Sequence, residues 1–205
     1  MTSIPFCIAV EGVLDEVVLS KILESCGHGV NAVFGKEGKG QLRTRIAGYN
    51  KAAQYYPWIV LVDLNSEFDC PPLLKSSWLP ESSRFMCFRV CVHEVEAWIL
   101  ADRAALAKYL SIKPNLPPNN PESEADPKGT IVRLARRSVK RKIREGIVPR
   151  PGSHRELGPA YISLMSEFVQ TLWSPERARL LSPSLDRCIK AITSFRYSAE
   201  GMTDR

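Results

Sequence analysis

Histidine is scarce in this 205-residue chain: His28, His93 and His154 are the full set, and no two stand at metal-ligand spacing. None of the six cysteines forms a C-x-x-C pair. Both absences argue against a tetrahedral zinc site. Scattered as they are, Cys7, Cys26, Cys70, Cys87, Cys91 and Cys188 read as reduced core residues of a cytoplasmic protein. No apolar run approaches the ~20 residues of a membrane span, and the first residues lack the basic, apolar and small-residue order of a secretory signal. A membrane is therefore not an expected partner. Gly-x-x-x-x-Gly-Lys-Ser/Thr is missing too, so no nucleotide cofactor is expected. Internal repeats are absent.

What is present is an ordinary apolar share of 44% and a net charge of +6, and the charge is unevenly spread. Residues 1–127 hold 12 Lys/Arg against 15 Asp/Glu, a net of −3, whereas residues 128–205 hold 16 against 7, a net of +9. This polarity suits a protein that holds a cation with one part and a polyanion with the other. Scattered surface charge is the plainer alternative.

The hydrophobic pattern points to an α/β fold. Four β-type runs, at 4–10, 31–34, 58–62 and 84–92, alternate with helical periodicity at 13–26 and 41–55 and a short crossover at 73–78. Such alternation implies a mostly parallel, four-stranded sheet with right-handed crossovers. After the fourth run, Glu94 to Leu100 reads as helix, and Asp102 can cap a further helix to Leu110. Residues 1–110 thus make an α/β domain. Residues 111–127, with five prolines, form a surface loop, and residues 128–197 form a helical annex packed on the first domain. Its expected helices are 129–144, 159–172, one opening at Ser174-Pro175-Glu176, and one opening at Ser182-Pro183.

Carboxylates follow three of the four apolar runs. Glu11 and Asp15 lie four apart at a helix start, so both can face one sheet edge; the helix macrodipole is a second reason to find acids there. Asp63 ends the third run, and Asp63-Leu64-Asn65 would put two oxygen ligands on one side of an extended segment, a spacing for Mg²⁺, or an Asx turn would end the strand. Glu94 and Glu96 follow the fourth run beside His93, which reads as a hydrogen-bonding neighbour.

Val10-Glu11-Gly12 with Asp15, the Asp63-x-Asn65 strand end, and His93-Glu94-x-Glu96-Ala97-Trp98, together with Asp126-Pro127-Lys128 and Gly158-Pro159-Ala160-Tyr161, resemble a small stand-alone TOPRIM-like family classed as a domain of unknown function. That family is related to the nuclease domain of overcoming-lysogenization-defect proteins. The resemblance covers residues 4 to about 195. It implies a TOPRIM-like fold, with Glu11, Asp63 and Glu96 as catalytic residues and Glu11, Asp15, Asp63, Asn65, Glu94 and Glu96 as ligands of Mg²⁺ or Mn²⁺. Asn65 stands where many superfamily members have a second Asp; Glu67 can compensate if its loop folds back. The implied chemistry is metal-assisted phosphodiester cleavage of DNA or RNA. From the same relatives come two further expectations, a separate ATPase subunit as partner and phage defence as setting. The alternative is a non-catalytic nucleic-acid or partner-binding module. As for the covalent tyrosine of strand-passing relatives, none of Tyr49, Tyr55, Tyr56, Tyr109, Tyr161 or Tyr197 stands out.

The annex carries the basic residues. On one helix over 129–144, Arg133, Arg136, Arg137, Lys140, Arg141 and Arg144 would share a face, with Val139 on the apolar arc. Such a face, joined by Lys128 and Arg155 and extended by Arg150 and His154, fits a phosphate backbone and gives no base specificity; solvation or an acidic protein partner also fits. Lys36, Lys39, Arg43 and Arg45, around Gly35, Gly38 and Gly40, are a second place for a phosphate near a helix start, or simply a mobile glycine loop.

Overall fold

The computed structural model describes residues 3–65 and 67–198. Four strands, β1 (Pro5–Val10), β2 (Gly29–Gly35), β3 (Trp58–Asp63) and β4 (Met86–Cys91), form one all-parallel sheet in the order β2-β1-β3-β4. Helices α1 (Val13–Ser25), α2 (Lys39–Ala52) and α3 (Pro71–Trp78) are the crossovers. The class is α/β, consistent with a TOPRIM-like fold. The connection after β1 runs to one side, to β2, and the connection after β3 runs to the other, to β4, so the crevice between the C-terminal ends of β1 and β3 is where open parallel sheets place ligands.

Side chains alternate across the strands, so β1, β3 and β4 each feed two cores. Phe6, Ile8, Val10, Ile59 and Leu61 pack on one face with α1 and the C-terminal helices. Ala9, Trp58, Val60 and Val62 pack on the other against Leu42, Ile46, Leu74 and Trp78 of α2 and α3. Residues 58–62 are buried on both faces and accordingly read as an unbroken apolar run.

Beyond the sheet lie α4 (Val95–Ala101), α5 (Arg103–Leu110), α6 (Pro127–Ala135), α7 (Arg141–Ile147), α8 (Tyr161–Thr171), α9 (Pro175–Ala178) and α10 (Pro183–Thr193). They share the core of the first face: α8 packs on α1, α6 on α4, and α10 on β4. Two polar clasps add direction to this apolar docking. Trp98 Nε1 donates to Ser184 Oγ at 2.7 Å and Trp173 Nε1 to the Trp98 carbonyl at 3.1 Å. The proline-rich segment is tied down as well, since Glu122 in its 3-10 turn accepts from the Ser184 N–H at 2.8 Å.

Ser174 and Ser182 cap their helices, accepting from Arg177 N–H and Leu185 N–H, with proline following each. Asp102 does not cap α5. Its buried carboxylate instead accepts from the Ser174 N–H at 2.9 Å and from Arg177 Nε and Nη2 at 3.1 and 2.7 Å, a charge-assisted fork stronger than a cap. Nor is 129–144 one helix. Arg137 and Ser138 N–H groups bond three residues back, ending α6 in a tightened turn, and Ser138 Oγ accepts from the Lys140 N–H. A serine competing for backbone partners, amid cations that repel at helical spacing, favours the break. Val139 is consequently 79% exposed rather than on an apolar arc. All six cysteines are free, and Cys87, Cys91 and Cys188 are buried. No helix of the described residues is long and apolar enough to cross a membrane.

Candidate functional site

The C-terminal ends of β1, β3 and β4 adjoin, and each delivers acids to the same edge. Glu11 directly follows β1, Asp63 closes β3, Asp15 lies in the first turn of α1, and Glu94 and Glu96 open α4. Glu11 Oε1 accepts from the Asp63 N–H at 2.9 Å, bridging the first and third strands. Gly12 lets α1 start close to this edge: a Cβ there would stand 3.0 Å from Asp15 Oδ2.

The acids feel one another strongly. Burial, then the charges of Asp15, Glu11, Glu96 and Glu94, hold the Asp63 carboxyl well above the usual carboxylate range. Asp15 is pushed up to about 6 by burial and then by Glu11. Glu96, 3% exposed, is pushed up to about 7, its burial only partly offset by Lys128. Glu11 is raised mainly by burial. Three oxygens of this basin, Asp15 Oδ1, Asp63 Oδ1 and Glu94 Oε2, are buried with no hydrogen-bond partner. Unpaired lone pairs on mutually repelling buried carboxylates are costly unless a cation meets them.

Two lysines border the basin. Lys128, in the first turn of α6, places Nζ 3.1 Å from Glu94 Oε1 and 3.7 Å from Glu96 Oε1. Burial would lower its pKa, but Glu96 and Glu94 outweigh that and raise it. Lys39 Nζ donates to the Asp63 carbonyl at 2.8 Å and pairs with Glu67 at 2.8 Å. Tyr161 OH, at the start of α8, donates to Glu96 Oε1 at 3.2 Å. Neither Lys39 nor Tyr161 is marked by its sequence context as a neighbour of the acids. The only pointers were the glycine-rich run holding Lys39 and the Gly158-Pro159-Ala160-Tyr161 signature.

The donor set suits a hard divalent cation, since it is all oxygen, anionic and partly unsatisfied. Glu11, Asp15, Asp63, Glu94 and Glu96 fit that role. Asn65 does not. Its backbone is left-handed at φ 52°, so the same-side rule for extended chain fails, and the residue is exposed. Its N–H donates to the carbonyl of His93, itself at φ 60°, which binds the β3 and β4 exits together; asparagine tolerates this conformation better than most residues. Glu67 is engaged by Lys39 and Arg43. Among the described residues, no three His, Cys, Asp or Glu side chains form a ready metal cage. Mutual repulsion and the hold of Lys128 on Glu94 and Glu96 oppose such closure, and a bound cation would favour it.

The expected continuous cationic stripe is broken by the turn at 136–140. Lys128 faces the acid basin, Arg133 pairs with Glu124 and Asp126, Arg141 pairs with Glu145, and Lys140 Nζ reaches the Tyr109 carbonyl. Arg137 is exposed. Arg136 and Arg144 nevertheless meet Arg150 in a groove of about 510 Å³, and Arg150 joins Arg155 in an adjoining one of about 370 Å³. As for the glycine-rich run, Lys36, Lys39, Arg43 and Arg45 pair with Glu16, Glu67, Glu67 and Glu37, so these cations are already matched. No family model, curated protein or solved structure matches the chain.

Proposed function

We propose that this protein is a divalent-metal-dependent phosphodiester-cleaving enzyme acting on DNA or RNA. The observation that carries the reading is the convergence of Glu11, Asp15, Asp63, Glu94 and Glu96 at the crevice between β1 and β3, with three buried carboxylate oxygens unpartnered. Bound there, Mg²⁺ or Mn²⁺ would activate water and stabilise charge on the attacking and leaving oxygens. Glu11, Asp15, Asp63, Glu94 and Glu96 would hold it. Lys128 is placed to exchange its carboxylate partners for a substrate phosphate, and Tyr161 orients Glu96 through its hydroxyl. From Lys128 along α6 to Arg136 is roughly 12 Å at helical rise, which leads from the acids to the groove of Arg136, Arg144 and Arg150 and gives a path for a phosphate backbone.

The test is incubation with supercoiled plasmid and with single-stranded RNA in Mg²⁺ and in Mn²⁺. Cleavage that Glu11→Ala and Asp63→Ala abolish is expected; no cleavage, or equal cleavage by both variants, overturns the reading. A second reading, a nucleic-acid-binding module without catalysis, is favoured by Asn65, an exposed amide on left-handed backbone where a further charged ligand would be needed. Salt-sensitive nucleic-acid binding without calorimetric Mg²⁺ binding would select it. A requirement for a separate ATPase subunit would appear as cleavage only on adding one.

A further inference from the structure

We infer that the outer edge of β4 carries a second, separate binding site, for a phosphate monoester with an apolar or aromatic body. Here a pocket of about 540 Å³ wraps the sheet edge between α3 and α10, within the roughly 300–1,000 Å³ of small-ligand sites. Three cations from three elements line it: Lys75 of α3, Arg89 of β4 and Arg187 of α10. No acidic side chain lines the pocket. Among the described residues, no carboxylate pairs with any of the three, whereas Arg179 and Lys190, also on this stretch, are both held by Asp186.

Arg89 is also held in place. Arg89 donates from Nε to its neighbour's carbonyl, that of Phe88, at 2.7 Å and from Nη1 to the Arg187 carbonyl at 3.5 Å. This fixes the guanidinium at the pocket while leaving its charge unmet and other N–H donors open. Three unneutralised cations around one cavity repel one another, and a doubly charged group with several acceptor oxygens relieves that repulsion in a way one carboxylate does not. The walls between the charges, from Pro71, Val90 and Cys188, are apolar, so the ligand bears a body that leaves water as well as an anionic head. Phosphate and body together define the class. None of the acids of the β1/β3 crevice lines this pocket, so the site stands whether or not the enzymatic reading does.

Calorimetric titration of the full chain in EDTA, with AMP, phenyl phosphate, inorganic phosphate and adenosine as probes, tests the assignment. At least one monoester should bind about tenfold more tightly than inorganic phosphate, adenosine should not bind, and Glu11→Gln should leave monoester affinity unchanged. Lys75→Glu and Arg187→Glu, both at exposed positions, should each weaken the monoester about tenfold or more, with circular dichroism confirming the fold. Preference for AMP would identify a nucleotide body; preference for phenyl phosphate, another ring. Absence of binding, phosphate binding as tight as the monoesters, or affinity unmoved by both charge reversals overturns it.

Discussion

Glu11 and Asp63, 52 residues apart in sequence, are joined where a side-chain oxygen of the first accepts from the backbone N–H of the second at 2.9 Å. One carboxylate oxygen thus positions the end of the neighbouring strand and leaves the other oxygen for chemistry. Geometry and charge can be separated here. Glu11→Gln keeps an acceptor for the N–H and removes one repelling charge, so its melting temperature at pH 8 should equal or exceed that of the parent, while Mg²⁺ affinity falls about tenfold or more. Glu11→Ala should lose roughly 1–2 kcal/mol more than Glu11→Gln by urea denaturation.

Acidification should stabilise the metal-free protein. Asp15 and Glu96 are raised to about 6 and about 7 from 3.8 and 4.5, so between those limits the native state binds more protons than the unfolded chain. Stability then falls as pH rises through this window, by an amount on the order of a few kcal/mol for the pair. Melting curves from pH 4.5 to 8 in EDTA should show this slope. Asp15→Asn and Glu96→Gln should each flatten it, and saturating Mg²⁺ should oppose it. A melting temperature that rises with pH over the same range, in metal-free buffer, would contradict the burial of these charges.

Gly35 closes β2 at φ +86°, where an added Cβ would collide with the Val10 carbonyl oxygen. Gly35→Ala therefore combines left-handed strain with a backbone clash one residue before Glu11. A loss of at least about 2 kcal/mol is expected by urea denaturation, with Mg²⁺ affinity reduced although no ligand is touched.

Asp102 is 2% exposed and holds both the Ser174 N–H and Arg177. Asp102→Ala strands that N–H and should cost about 2–3 kcal/mol, read from the fluorescence of neighbouring Trp98 and Trp173 on denaturation. Asp102→Asn, which keeps an acceptor, should cost about half as much.

Local signals in the sequence were faithful where the physics is local. The apolar run at 58–62 marks a strand buried on both faces, and Ser174-Pro175 and Ser182-Pro183 open helices as their side chains dictate. The acids at 11 and 63 were legible because each adjoins an apolar run, and those at 94 and 96 because they come shortly after one. What escaped depends on partners far along the chain. Asp102 has the composition of a cap, yet a guanidinium 75 residues away outcompetes that role. The cations at 133–144 have helical spacing, but Ser138 diverts the backbone. The acids that match Lys36, Lys39 and Arg43, namely Glu16 and Glu67, come from other segments of the fold, whereas Glu37, the partner of Arg45, lies within the same glycine-rich run. Asn65 kept its spacing and lost its alignment when the chain turned left-handed.

The lysine at Glu94 and Glu96 bears on how such a protein can change over generations. Its position in α6, with Tyr161 in α8 on the same glutamate, makes the C-terminal helices co-owners of the acid basin rather than an attachment to it. A recombination that exchanged residues 128–198 for another helical unit of equal apolar fit would restore the core and still leave buried carboxylates without their cation and hydroxyl. Inheritance of the two halves is coupled by electrostatics, and drift at Lys128 or Tyr161 is answerable to acids encoded thirty or more positions upstream.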